Sequence, residues 1–193
     1  NFSYILKDNT HEINVGLEVL KKLTTGKVHL NMCAKESLKQ LNIEVEGIQI
    51  NKIIGKHPAG NIGTQIHHID PLNKGESIWS VNIQDIAIIG RYFLEGKYNV
   101  KRTIALTGSE VKNPQYIETI IGTNVFGLID GEIKSENVRI ISGNVLTGDK
   151  ISKDGFLGFY HHQITIIPEG NEYKFFLTKG WLGPGFDKFS NSR

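Results

Sequence analysis

The sequence predicts a protein in two parts, an open α/β half over residues 1–100 and a β-rich α+β half over residues 101–193. Three observations predict it. Helical and strand periodicities alternate through the first hundred residues, which is the rhythm of an open α/β domain. Short strand candidates around a single helix candidate fill the rest, which fits a small α+β module. Between the two, residues 96–101 (Gly-Lys-Tyr-Asn-Val-Lys) mark the change of pattern and read as the boundary.

Taken in order, Asp8, Asn9 and Thr10 are N-cap candidates, and Ile13, Leu17, Leu20 and Leu23 follow at helical spacing. Gly26 suits the position just past the end of that helix. Residues 27–31 read as a short strand, 35–41 as a weaker helix and 43–54 as a strand region, with Ile48, Ile50 and Ile53 near its end. The chain enters on a helix and does not begin with methionine, so a piece of a longer protein is expected. Cys33, the single cysteine, follows the first strand without a basic neighbour pattern and is expected to be inert.

Beyond a long turn-rich segment at 57–71, Ile78-Trp79-Ser80-Val81 returns to β-favouring residues. Asn82 or Ser80 then caps a second long helix over 83–95. Its Ile86, Ile89 and Phe93, with Ala87 and Gly90 permitting close approach, predict packing against the sheet. Asp85 in the first turn suits the helix dipole. Arg91, Glu95 and Lys97 do not form the basic face of a helix that lies on a membrane.

In the second half, residues 102–106 read as a strand and 107–109 as a turn. Asn113 as N-cap and Pro114 at the first helical position open a helix expected to run to Ile121 and close at Gly122. Strands are expected at 138–141, 144–146, 156–167 and 173–177. His161 and His162 fall inside the third of these, one expected toward the core and the other toward solvent, both as structural residues.

Composition narrows the function classes. A net charge of +2, with no lysine–arginine cluster and no aromatic platform, argues against nucleic acid as a partner. No run of about 18 apolar residues is present to span a bilayer. One cysteine allows neither an internal disulfide nor an iron–sulfur cluster ligated by this chain alone, and it fits a reducing compartment. Ser, His and acidic residues occur without nucleophile-elbow or metal-protease spacing, so an independent hydrolase has no support.

The segment His57-Pro58-Ala59-Gly60-Asn61-Ile62-Gly63-Thr64-Gln65-Ile66-His67-His68-Ile69-Asp70-Pro71 concentrates the chemistry, with three of the seven histidines and two of the five prolines. Three readings compete for it. His57, His67, His68 and Asp70 are possible metal ligands, but they lack the fixed spacings that gather donors around one ion. His67 and His68, being adjacent, are expected to point apart. Gly60 and Gly63, with Thr64, offer a backbone approach to a phosphate or nucleotide, without the fuller glycine fingerprint. The third reading is a rigid crossover in which Pro58 and Pro71 fix the ends and Gly60 and Gly63 take left-handed backbone angles. Residue chemistry alone favours the crossover, with His57, Gly60, Gly63, Thr64, His67 and Asp70 kept as ligand-binding candidates and no catalytic or metal residue assigned.

The His-Pro-Ala-Gly-x-x-Gly-Thr-x-Ile-His-x-x-Asp-Pro segment, then Ile78-Trp79 and Asn82-Ile83-Gln84-Asp85-Ile86-x-Ile88-Ile89-Gly90, resembles the NqrA family, the A component of the sodium-translocating NADH:quinone reductase (Nqr). Asn113-Pro114, Ile120-Ile121-Gly122, Ile140-Ile141-Ser142-Gly143 and Pro184-Gly185-x-Asp187-Lys188-Phe189-Ser190 extend the resemblance in one order along the chain. The resemblance implies a partial Rossmann-like α/β domain over 1–100 and a β-grasp domain of the soluble-ligand-binding type, with a C-terminal extension, over 101–193. It implies a peripheral component on the cytoplasmic side of the bacterial inner membrane, docked to the membrane-embedded NqrB component and to others of the complex. Flavins, the iron–sulfur centre, NADH and the sodium path would then lie on partner subunits, with none bound by this piece. Ubiquinone is a candidate ligand. The alternative is a quinone- or nucleotide-binding module whose ligand sits at His57–Asp70.

Overall fold

The computed structural model describes residues 9–34 and 43–171. Two compact units emerge: one runs to Thr103 and takes in Glu118–Ile121, and the other holds Ile104–Ile117 and the chain from Gly122 onward. The expected helix at 35–41, the strand at 173–177 and the motif from Pro184 to Ser190 lie outside the described residues.

The first unit is built from helix α1 (Thr10–Leu23), strands β1 (Val28–Cys33) and β2 (Ile48–Ile53), helix α2 (Ile62–Ile69) and helix α3 (Ile83–Glu95). Ile13 and Leu17 of α1 are buried against Ile86 and Ala87 of α3, with Leu20, Ile43, Val45, Ile48 and Ile83 packed around them. Burying each large aliphatic side chain stabilises the unit by about 1.5–3 kcal/mol. The helices touch backbone to backbone. A Cβ on Gly16 would lie 2.2 Å from the carbonyl oxygen of Ile86, and one on Gly90 would lie 1.8 Å from that of Glu12.

Gly90, foreseen as permitting close approach on α3, therefore admits another helix, with Ile48 of the sheet beside the pair, and Phe93 stays 61% exposed instead of packing. Asn82, not Ser80, caps α3, its Oδ1 accepting from the Gln84 amide at 3.1 Å. At the other end Gly96 takes φ 66° and its N–H bonds the Tyr92 carbonyl at 2.8 Å, a left-handed stop that only glycine adopts freely. Helix α1 ends differently from expectation. Thr24 turns to extended backbone and its hydroxyl accepts from the Gly26 amide at 3.0 Å, so Gly26 is not the left-handed cap.

β1 and β2 form a two-stranded parallel pair in register from Val28↔Ile48 to Cys33↔Ile53. Parallel pairing is the α/β expectation, since such strands need a crossover between them. Residues 78–81, expected to resume a strand, form none and are exposed.

The second unit carries most of a five-stranded sheet. Its strands are β3 (Lys101–Thr107), β4 (Gln115–Ile120), β5 (Val138–Ser142), β6 (Asp149–Ile151) and β7 (Gln163–Pro168), in the order β4-β3-β7-β5-β6. β3 and β7, the first and last in sequence, run parallel at its centre, and β5 lies antiparallel to both β7 and β6. Ile104, Leu106, Ile140, Ile164 and Ile166 point into one core with Val111, Val125, Leu157 and Ile129 of the short helix α4 (Phe126–Ile129). Gly108, at φ 121°, lets the end of β3 press on β7, where a Cβ would stand 2.0 Å from the Ile166 carbonyl oxygen.

Three expectations fail in this half. The helix expected after Asn113-Pro114 is strand β4. Tyr116, Ile117, Thr119 and Ile120 are aromatic or β-branched, and their fit to a pleated edge outweighs the cap-like opening. The strand expected at 144–146 is a turn, because Asn144 Oδ1 accepts from the amides of Leu146 at 2.8 Å and Thr147 at 2.9 Å. Of the strand expected over 156–167, only the part from Gln163 forms.

Candidate functional site

Residues 57–70, expected as a rigid crossover, form a turn followed by a helix. Lys56 and Pro58 carbonyls accept from the Ala59 amide at 3.0 Å and the Asn61 amide at 2.8 Å, and the chain then enters α2 with Asn61 at its N-cap. The His57–Pro58 peptide is cis. Gly60 and Gly63 do not adopt left-handed angles, and a Cβ at either would meet nothing within 4 Å. Their expected strained role is thereby corrected: Gly63 is an ordinary residue of a helix.

Helix α2 buries none of its residues. Besides the half-buried Ile66 and Ile69, a train of side-chain amides ties it to the strands. In β1, His29 and Asn31 point to one face, and the parallel register sets Gln49 and Asn51 of β2 beside them on that face. Gln49 Nε2 donates to Asn51 Oδ1 at 3.2 Å, and Asn51 Nδ2 donates to Asn31 Oδ1 at 2.8 Å. Asn31 Nδ2 donates in turn to Gln65 Oε1 on α2 at 2.9 Å, and Gln65 Nε2 to the Ala59 carbonyl at 3.1 Å. Each amide is donor to the next, so the bonds polarise one another in one direction.

His29 joins this train. Asn51 Nδ2 also lies 3.2 Å from His29 Nδ1, which as acceptor puts the ring proton on Nε2. His29 Nε2 is buried without a hydrogen-bond partner and faces Asp70 Oδ2 at 3.9 Å, too long for a direct hydrogen bond.

The sequence candidates therefore scatter. Asp70 approaches the polar face, and Thr64 is half-buried on α2, while His57, Gly60, Gly63 and His67 are exposed. His67 and His68, expected to point apart, meet edge to face with ring centroids 5.4 Å apart. Among the described residues no three His, Cys, Asp or Glu side chains gather as a metal site. Sequence reasoning missed His29, Asn31, Asn51 and Gln65. The signal was present as alternating polar residues in Val28-His29-Leu30-Asn31-Met32 and in Ile48-Gln49-Ile50-Asn51, legible only once a parallel register set the two strands side by side.

The second unit has a smaller polar centre. Buried Ser142 Oγ accepts from the Gly158 amide at 2.9 Å and lies 2.7 Å from His161 Nδ1. His161 stands in the loop before β7, with its amide on the Gly158 carbonyl at 3.0 Å, and the His162 carbonyl accepts from the Ala105 amide at 3.0 Å. Both histidines precede the strand, so the expected core-and-solvent alternation does not arise. Ser142 Oγ thus ties the Gly158–His161 loop to the end of β5. Elsewhere in this unit, Arg139 and Lys150 hydrogen-bond Glu169 at 3.1 and 2.7 Å. Lys150 first, then Arg139, hold its carboxyl below the ordinary glutamate value.

Residues 1–98 match the family described as NqrA second alpha/beta domain, and residues 103–153 match that described as NQRA C-terminal domain. The A component of the Na(+)-translocating NADH-quinone reductase of Rhodopirellula baltica is 40% identical over 191 residues, covering 98% of this chain and 41% of that protein. The proteins of the same name from Haemophilus influenzae and Pasteurella multocida are 38% and 37% identical, covering 99% and 98% of this chain and 42% of each relative. The chain thus spans about two fifths of the length of these curated relatives.

Proposed function

The chain belongs to the NqrA family, and from that premise we propose that it serves as the middle part of a peripheral subunit in a sodium-translocating NADH-quinone reductase. Its work there is docking, on the cytoplasmic side of the membrane, against the membrane-embedded NqrB component and its neighbours. Flavins, the iron–sulfur centre and NADH belong to partner subunits in this reading, and ubiquinone is the small molecule the assembled complex brings near it.

The observation that carries the docking role is the stretch after α2. Every residue from Pro71 to Val81 is exposed, including Leu72, Ile78 and Trp79, the last at 92%. An apolar run that its own unit leaves in water fits a surface covered by a partner. No helix among the described residues is long and apolar enough to cross a membrane. In domain terms the proposal is a partial Rossmann-like domain over 1–100, supported by the parallel β1–β2 pair, and a β-grasp domain over 101–193. The parallel pair of first and last strands at the sheet centre supports the second.

The alternative, a quinone or nucleotide held beside Gly60 and Gly63, has less behind it, since both glycines lie on the exposed side. Co-purification decides. Trp79→Ala together with Ile78→Ala, placed in the full-length protein, should lower recovery with the membrane partners while the melting temperature holds. Unchanged recovery refutes docking through this stretch. Saturable quinone or NADH binding by the purified protein, lost on Gly63→Val, would establish the alternative.

A further inference from the structure

A second site lies within the first unit, away from α2. A cavity of about 80 Å³ is lined by Asn9, Gln84, Ala87, Arg91, Lys101, Arg102, Thr103 and Glu118. One water needs about 10–15 Å³ of such space, so there is room for one small polyatomic group and not for a nucleotide.

The walls are held firmly. Gln84 clamps the start of β3, its Nε2 donating to the Thr103 carbonyl at 2.9 Å and its Oε1 accepting from the Thr103 amide at 3.0 Å. Arg102, with its side chain almost wholly buried, pairs with Asp85. Lys101 pairs with Glu118 at 2.9 Å. Three cations thus meet two carboxylates, and the remaining charge belongs to Arg91. Its Nε is buried and has no hydrogen-bond partner, a state that costs free energy unless something absent from the chain satisfies it. Asn9 at the start of α1 also borders the cavity, which brings the positive end of that helix's dipole to the same wall. Both the surplus cation and the helix end favour negative charge there.

We propose that this cavity binds a small oxyanion, of phosphate or carboxylate type, on the Arg91 guanidinium. A planar fork of N–H donors matches the paired oxygens of such a group, and the bond is charge-assisted.

The test is a titration of inorganic phosphate into the 193-residue chain at constant ionic strength, followed by amide NMR, with acetate as a second arm. Saturable shifts at Ala87, Arg91, Arg102 and Thr103 are expected, and whichever anion binds more tightly names the group. Arg91→Gln should weaken binding about tenfold or more, the loss of one charge-assisted bond. Lys153→Gln, in the other unit, should leave it unchanged. If Arg91→Gln fails to fold, Arg91→Lys decides, since it keeps the charge and loses the fork: weaker binding supports the site and equal binding overturns it. Absence of saturable shifts with both anions, or shifts indifferent to Arg91→Gln, also overturns it.

Discussion

Asn31→Ala is the most informative change to the amide train. Asn31 is its middle member, accepting from Asn51 at 2.8 Å and donating to Gln65 at 2.9 Å in a half-buried setting. Each neutral hydrogen bond contributes about 0.5–1.5 kcal/mol net, and a buried group left without its partner costs about 1–3 kcal/mol. Water can reach part of this face, so the net hydrogen-bond value applies rather than the full unpaired-group penalty, and the two losses together come to about 1–3 kcal/mol. For a chain of this size that corresponds to a fall in Tm of about 2–12 °C. Thermal melting would measure it, with hydrogen exchange on the amides of α2 as the local reading, because α2 has no fully buried apolar residue and only Ile66 and Ile69 half-buried. Gln65→Ala should expose the same amides, and the double variant should cost less than the sum of the two single changes, since the residues share one bond. A melt within about 1 °C of the parent and unchanged protection of α2 would refute the view that side-chain amides fasten this helix.

Glycines offer a pair of opposite outcomes. Gly63→Ala should stabilise α2 by about 0.5–1 kcal/mol, because the position is helical and open. Gly90→Ala should cost about 3 kcal/mol or more, because its Cβ would enter the Glu12 carbonyl. Denaturant melts of both variants check this, and equal effects would contradict the backbone contact between α1 and α3. Glu169 sets a pH dependence. Its folded pKa is lowered by Lys150 and Arg139, so its contribution is fully present above the ordinary glutamate value of about 4.3 and is lost as pH falls through the lower folded value. The Tm difference between parent and Glu169→Gln should be flat from neutral pH to about 5 and shrink below that; a difference that grows on acidification would contradict the sign.

Periodicity made α1 and α3 legible, because Ile13, Leu17 and Ile86 recur at a helix's own spacing whatever they pack on. It did not say what they pack on, and α3 meets helix α1 in addition to Ile48 of the expected sheet. The segment at 57–70 misled for a local reason. Two prolines and two glycines are turn signals, and the eight residues from Ile62 hide a helix stabilised by tertiary amide bonds that no propensity scale contains. β4 misled in the opposite way, with a helix-like opening at Asn113-Pro114 in front of residues that favour a strand. The polar site shows the deeper limit. Asn31 and Asn51 become neighbours only through parallel registration across 20 residues of chain, and the sequence shows each as an unremarked polar residue inside a strand.

The placement of β7 beside β3 has a consequence during synthesis. The centre of the second sheet cannot close until the ribosome has delivered its last strand, because Ala105 pairs with Gln163 and Thr107 with Thr165. At about 5–20 residues per second, the stretch between the two strands takes several seconds to emerge. Through that interval Ile104, Leu106 and Ile140, all buried in the finished unit, have no completed core to enter. Nascent chains that end before Gln163 are therefore the form with most apolar surface for a chaperone to hold, whereas chains that extend past Pro168 can shut the sheet and escape it.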